Sequence, residues 1–465
     1  MDPMRARAFP AKSFFVNMLT RDIELLDAVL DLLDNCVDGV IRHLDQKDLT
    51  EVEKPYSGHW ADIDISPERF AITDNCGGIP LDVARRYAFA VGKPPESDAH
   101  RPTIGAYGIG MKRAMFKMGR HAMVETRTTS EAFRVEIAPD WLENDNDWDL
   151  PITLDDSIAL SAPGTRITVE QLHPAIAKQF EPDGPFITTL KNSIATHFGY
   201  IIDKGFAVRV NSTEVHAAVT HLLFDSSGIQ PYVYKGAIED VEVYIAVGFY
   251  RPLPSDDEEE DEWTIRRSAD EAGWTIVCND RVVVYKDRTI LTGWGEANVP
   301  NYHNQFIGIS GVAEFRSNDP LKLPMKTTKR GIDAGSSVYL KAKNHMREGL
   351  KLFTDYTNKW KQNREEVRRR EGQAQPLPVR DSRFQMLLHH NENAHRINHA
   401  DEQSIYYKPN LPLPEPNATR RQIRFYANLD DIEYIRDEGM GQPDATPSAV
   451  GEYCFQRELE RLRKA

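Results

Sequence analysis

Three observations predict an α/β protein, of α+β type, built from several domains. Residues 1 to about 172 alternate helical periodicity with strand-like runs, residues from about 204 to 335 are mostly strand, and residues 336–372 read as one long helix. A chain of 465 residues is long enough for two to four such units. The order expected is a first domain at 1–172, a second at 173–335, a basic helical stalk at 336–372, a linker at 373–410 and a small C-terminal module at 411–465.

The first helix lies in RDIELLDAVLDLLDNCVDGVIRHL. Ile23, Leu26, Val29, Leu30, Leu33, Val37, Val40 and Ile41 recur at helical spacing and make an apolar face. Opposite them, Asp27, Asp31, Asp34, Asn35 and Asp38 form a stripe. Like charges three and four apart cost a helix a few tenths of a kcal/mol per pair, so the stripe is either a solvated face or a working one. The strands WADIDI (60–65), RFAITD (69–74), HAMVETRT (121–128), AFRVEIA (132–138) and TRITVEQL (165–172) come after it. HPAIAKQFEPDGP is then a turn-rich joint before the helix FITTLKNSIATHFGYIID. FAVRVN, VEVYIAVGFY, GWTIVCNDRVVVYK and QFIGISGVAEF supply the strands of the second domain.

Composition narrows the class. No apolar run approaches the ~20 residues of a membrane span, so no membrane partner is expected. Cys36, Cys76, Cys278 and Cys454 have no paired spacing, which suits a reducing, cytoplasmic setting and argues against a cysteine zinc site. A net charge of −14 argues against a surface that grips nucleic acid throughout, though not against a local basic patch. The helix at 341–370 carries ten Lys/Arg against four acids, and could be a solvated stalk, a nucleic-acid contact or a docking face. DDEEEDE (256–262) reads as a solvated loop between strands. His395 and His399 are four apart in HHNENAHRINH, but no neighbouring acid or cysteine completes a metal set.

Three stretches carry chemistry together: DLLDNCVDG, ITDNCGGIP (72–80) and IGAYGIGMKRAMFKMG (104–119). Glycines ahead of a helix let backbone N–H groups approach an anion, and the helix N-terminus adds about half a positive charge. Lys112 and Arg113 come next, with cationic donors for phosphate oxygens. Asp74, at a strand end before a Gly pair, can accept from an exocyclic amine while the glycines leave room for a flat base. Asn35 offers a neutral oxygen suited to Mg²⁺, and Asp31, one turn earlier, is placed to orient or deprotonate a water. A fourth stretch, PGTRITVEQL (163–172), brings Thr165 to the same pocket.

This set resembles the GHKL ATPase superfamily of gyrase-type topoisomerases, heat-shock chaperones, MutL proteins, histidine kinases and MORC ATPases. The resemblance implies a Bergerat-fold sandwich binding ATP with Mg²⁺. It places the general base on Asp31, the Mg²⁺ ligand on Asn35 and a supporting acid on Asp38. It places the adenine loop on Asp74, Gly78 and Ile79, with Thr165 beside it. It places the phosphate lid on Gly105, Tyr107, Gly108, Ile109, Gly110, Met111 and Lys112, in a form similar to that of MORC proteins.

Two departures stand out. Asp31 replaces the usual Glu and is one methylene shorter, which implies slow turnover, and Cys76 replaces the first glycine of the adenine loop. VRVNSTEV, WTIVCNDRVVVYKDR and GISGVAEFRSNDPLKLPMKTTKRGID resemble a transducer domain, whose γ-phosphate lysine matches Lys329, or else Lys326.

The resemblance also implies a homodimer formed on ATP binding, with residues 1–20 as an exchanged strap. Three functions fit: a MORC- or MutL-like switch or clamp on DNA or a partner protein, a chaperone-like (Hsp90-like) ATPase, and an ATP sensor with little turnover that regulates a partner effector. A histidine kinase is not expected, because the Asn35 helix begins near residue 20.

Overall fold

In the computed structural model, residues 11–44, 49, 52–90, 104, 108–145, 147–253, 271–361, 363–389, 392–414, 423 and 426–464 are described. Two sheets organise the chain; helices cover the first on one face and the second on both.

The first sheet has eight strands in the order β5-β4-β3-β6-β2-β1-β7-β8. They are β1 (Trp60–Ile65), β2 (Phe70–Asp74), β3 (Gly119–Arg127), β4 (Ala132–Ile137), β5 (Ile152–Leu154), β6 (Gly164–Leu172), β7 (Ala207–Val210) and β8 (Thr213–Glu214). All pairs are antiparallel except β1 with β7. Helix α1 (Lys12–Arg21) is followed by α2 (Leu25–His43), and α3 (Gly110–Met118) leads directly into β3. The apolar face of α2 is buried as the sequence predicts, with Val29, Leu33 and Val37 packed with Ile63, Ile72 and Val124 of the sheet. The other face of the sheet is polar, with cross-strand pairs such as Glu125 with Arg166.

The expected boundary at residue 172 falls too early. Helix α4 (Phe186–His197) buries Leu190 and Ile194 in the first core, and its chain then returns as β7 beside β1. A parallel neighbour requires a crossover of a dozen or more residues, and the segment read as an inter-domain joint is that crossover. VRVNSTEV therefore lies at the edge of the first sheet rather than in a transducer unit.

A short ribbon pairs β9 (His221–Phe224) with β15 (Gln375–Pro378). The second sheet has seven strands in the order β13-β12-β14-β11-β10-β17-β16. They are β10 (Tyr232–Ile238), β11 (Val241–Phe249), β12 (Gly273–Cys278), β13 (Arg281–Asp287), β14 (Ile309–Arg316), β16 (Ala394–His399) and β17 (Glu402–Tyr407). The residues expected to be a linker thus supply β15, β16 and β17, and Arg380 between them joins a buried ion cluster. His395 and His399 sit on a strand, not a helix, and among the described residues no group of three His, Cys, Asp or Glu could hold a metal.

The long basic helix is shorter than expected and is not a stalk. It runs as α5 (Ser337–Trp360), and a second helix starts at Arg364. Its apolar side, including Met346, Leu350, Phe353 and Trp360, is fully buried against the second sheet. Gly349 is needed for that approach, since a Cβ there would lie 2.3 Å from Val247. Its cations are largely met within the chain: Lys341 by Glu239 at 2.8 Å, Lys343 by Glu296 at 2.7 Å and Lys351 by Asp355 at 2.8 Å. The C-terminal helix α6 (Pro447–Lys464) packs back on the turn before it, where the Tyr453 hydroxyl donates to Gly439 O at 2.7 Å. No helix among the described residues is long and apolar enough to cross a membrane.

Glu371 is fully buried, accepts from Leu253 N–H at 2.7 Å, and lies beside Tyr356. Burial raises its carboxyl pKa to about 7, although those two donors pull the other way. An unfolded chain releases this proton near 4.5, so the native state is penalised progressively as pH rises from 4.5 to about 7, and fully above that. Glu371→Gln should therefore raise the unfolding midpoint at pH 8, by up to about 3 kcal/mol in stability, and change it little at pH 4.5. Denaturant titrations at the two pH values measure this, and an equal effect at both would contradict it.

Candidate functional site

A cleft runs along α2 between the loop after β2, the Gly110 end of α3 and a loop of the second unit. Asp31, Asn35, Asp38 and Arg42 of α2 all line it. The eleven helical steps from Asp31 to Arg42 span about 16 Å, enough for a base, a sugar and a phosphate tail in file.

At one end, Asp74 closes β2 and is nine-tenths buried. Its Oδ1 accepts from Cys76 N–H at 2.8 Å and from Thr165 N–H at 3.2 Å, which leaves Oδ2 for another donor. Burial raises its pKa, while these hydrogen bonds act against the rise. Cys36, on the pocket side of α2, also interacts with this carboxylate. Gly78 has φ +75°, and a Cβ there would meet Arg127 O at 2.2 Å, so only glycine fits this turn. Ile79 N–H donates to the Thr126 hydroxyl at 2.8 Å, and Thr126 in turn lies 3.2 Å from the Thr165 hydroxyl. Cys76 sets its carbonyl oxygen and Cβ against Gly39 of α2, and Gly77 and Gly78 take the positive φ angles of the turn.

At the other end the acidic stripe is neither solvated nor free. Asp27 pairs with Arg330, and Asp31 with Arg113 and, at 3.3 Å, with Lys329. Asp34 is fully buried between Lys329 at 2.7 Å and Arg281 at 2.9 Å. Asp38 accepts from Ile104 N–H at 2.6 Å. Burial favours neutral Asp34, yet the two cations prevail and hold its pKa below the ordinary value. Lys329, despite its own burial, is raised by Asp34 and Asp31. Arg281 also donates to His197 O at 3.0 Å and stacks over Phe198 at 4.2 Å. Asn35 stands apart in this row: its Nδ2 is buried with no partner among the described residues.

Gly108, Ile109, Gly110, Met111 and Lys112 line the cleft where the lid was expected; Gly105 and Tyr107 lie outside the described residues. Lys112 does not reach for the cleft. Its ammonium donates to Ala88 O at 2.9 Å, Ala90 O at 2.7 Å and Gly108 O at 2.5 Å, and burial lowers its pKa to about 8. Lys329 enters the site, whereas Lys326 stays exposed outside it.

Sequence reasoning missed Thr126, Arg42 and Arg281. Thr126 sits near the end of β3 and Arg281 in a hairpin, without local signal. Arg42 was legible only as a later position on the face that carries Asn35.

Residues 23–165 match a family model described as Histidine kinase-, DNA gyrase B-, and HSP90-like ATPase. The match supports a GHKL-type ATPase domain over that stretch. The cleft lies largely within the matched residues, so ATP is the ligand that the domain type implies. Lys329, Thr327, Arg281 and Arg330 come from outside the match. No curated protein matches the chain. The mixed α/β model, with a helix-covered first sheet and a further α+β unit, agrees with a GHKL sandwich followed by additional structure.

The Asp280 cluster strengthens the join. The two-residue turn Asn279–Asp280, both at positive φ, inserts Asp280 where Lys204 (2.8 Å), Arg316 (2.6 Å), Arg380 (2.9 Å) and the Tyr56 hydroxyl (3.0 Å) converge on it.

Removing one partner of a buried ion pair strands the other's charge. Asp34→Asn should therefore lower stability by roughly 3 to 5 kcal/mol. Urea titration monitored by tryptophan fluorescence would read this loss, and a change below about 0.5 kcal/mol would mean that the interface does not depend on Asp34.

Proposed function

We propose that the protein is a Mg²⁺-dependent ATP-binding conformational switch that hydrolyses ATP slowly. The observation that carries this reading is the meeting of Lys329 with Asp31 and Asp34, which puts a cation of the second unit into the wall of the nucleotide pocket.

Oδ2 of Asp74 would accept the adenine amine, with Thr165 holding Oδ1, Gly78 leaving room for the base, and Ile79 on its apolar edge. Asn35 would hold Mg²⁺ through its carboxamide oxygen; a site with one protein ligand suits this ion, which keeps waters and binds substrate phosphates. With its oxygen on the ion, the buried Nδ2 of Asn35, which has no partner among the described residues, would be left to donate to a phosphate oxygen. Bound Mg²⁺ supplies charge neutralisation for the phosphates. Asp38 would anchor the lid base through Ile104. Residues 108–112, with Gly105 and Tyr107, would close over the phosphate tail, Lys112 by tying Gly108 to the chain at 88–90.

Asp31 would take a proton from the attacking water as the bond between the γ-phosphorus and its bridging oxygen breaks, releasing ADP and phosphate. With two cations on it, the Asp31 carboxylate is engaged in the resting state, which favours slow turnover and keeps an ATP sensor as the second reading. Lys329 would move to the γ-phosphate and loosen its hold on α2. A ligand shifts a two-state equilibrium only through such differential contacts.

Dimerisation on ATP binding, and action on a partner protein or DNA, complete the proposal. Helix α1, at the strap position, exposes Phe14 and Met18, which supports a role in association; residues 1–10 of that strap lie outside the described residues. The paired cations of α5 leave less charge free for DNA than their number implies, so a protein partner is favoured. A chaperone-like machine remains the alternative of that kind.

Asp74→Asn should weaken ATP binding at least tenfold by calorimetry, because the carboxylate acceptor becomes ambivalent; an unchanged affinity would remove the adenine role. Phosphate release should fall at least a hundredfold in Asp31→Asn, within the range for a lost general base, and wild-type turnover in that variant would refute the assignment. Light scattering with AMP-PNP, with and without duplex DNA, tests the dimer and the partner class.

A further inference from the structure

Asp31 is held from two sides. Lys329 comes from the second unit, and Arg113 comes from the first turn of α3, directly after the lid glycines. The lid helix itself presses close, since a Cβ on Gly110 would lie 3.3 Å from Asp31 Oδ2. The neighbouring cation, Lys112, spends its donors on three carbonyl oxygens. Arg113 does not. One terminal nitrogen meets Asp31, while its Nε is buried and has no partner among the described residues. Arg113 lines the same cleft as Asn35, whose Nδ2 is likewise unpaired. Two buried N–H donors without acceptors cost free energy that an incoming anionic oxygen would recover.

We propose that Arg113 is a second ligand of the terminal phosphate, which exchanges Asp31 for a γ-phosphate oxygen when ATP binds. A guanidinium fork can present Nε and a terminal nitrogen to one phosphate, and the phosphate carries more charge than a carboxylate. ADP offers no such oxygen at that place, so the exchange discriminates between the nucleotides. The same movement frees Asp31 to meet a water. In the resting chain the lid helix is thus tied to the catalytic acid, and the nucleotide's last phosphate is what unties it. The contacts divide the labour: Lys112 holds the lid together, and Arg113 reads the ligand.

This inference rests on the cleft being an ATP site, and the test separates the two. Calorimetry on the full chain with Mg²⁺ would compare AMP-PNP with ADP for wild type, Arg113→Gln, Arg113→Lys and Asp31→Asn. Arg113→Gln should weaken AMP-PNP about tenfold and ADP less than twofold. Arg113→Lys should keep most of the preference. Asp31→Asn, which removes the competing carboxylate, should tighten AMP-PNP several-fold relative to ADP. Retained ADP binding shows that each variant is folded. An unchanged AMP-PNP to ADP ratio in Arg113→Gln would overturn the proposal while leaving the ATP site intact. Wild type that binds neither nucleotide would overturn both.

Discussion

The buried carboxylate of Asp34, set between Lys329 and Arg281, is the contact on which the arrangement depends. Two cations and one acid taken out of water are tolerable only when each is paired, because an isolated charge in that setting costs several kcal/mol. The pairing fixes the loop at 325–332 against α2, and that loop is also the wall of the nucleotide cleft. Pocket and interface are therefore one surface. Whatever draws Lys329 away from the acids changes how the second unit is held.

The same logic extends along α2. A stripe of aspartates at helical spacing would weaken an isolated helix. In the folded chain each acid of the stripe has its own partner: Arg330, Arg113, Lys329, Arg281 or the backbone at Ile104. The neutral member, Asn35, keeps a buried Nδ2 with no partner among the described residues. The cost within one helix is offset by cations from three distant segments. A site so poised responds to an anion, since phosphate competes with carboxylate for the same donors.

Much of the first unit was legible in the sequence. The amphipathic face of α2, the strand ending at Asp74, the glycines before α3 and the Gly-Thr entry to β6 are local patterns, and periodicity and turn chemistry reveal such patterns. The pocket residues Asp31, Asn35, Asp74, Gly78, Gly108, Gly110, Lys112 and Thr165 lie along one cleft. The organisation beyond residue 172 was less legible. A parallel pairing of β7 with β1, and the return of residues 375–407 into two sheets, are long-range choices with no local signature. The cationic helix read at 341–370 ends at Trp360, and its packed side, legible in Phe353, Tyr356 and Trp360, rather than its charges decides where it lies.

The residue types and their order determined by themselves that Asp74 with its glycines, Asn35, Asp31 and the glycines before α3 occur in one domain, because each pattern depends on neighbours a few positions away. Tertiary structure alone decided which cation does what. Lys112 and Arg113 are adjacent in sequence, yet one faces three carbonyl oxygens and the other faces Asp31. Successive residues on a helix point about 100° apart, so neighbours in sequence meet different surroundings. Those surroundings, and the arrival of Lys329 from almost three hundred residues away, exist only once the chain has folded.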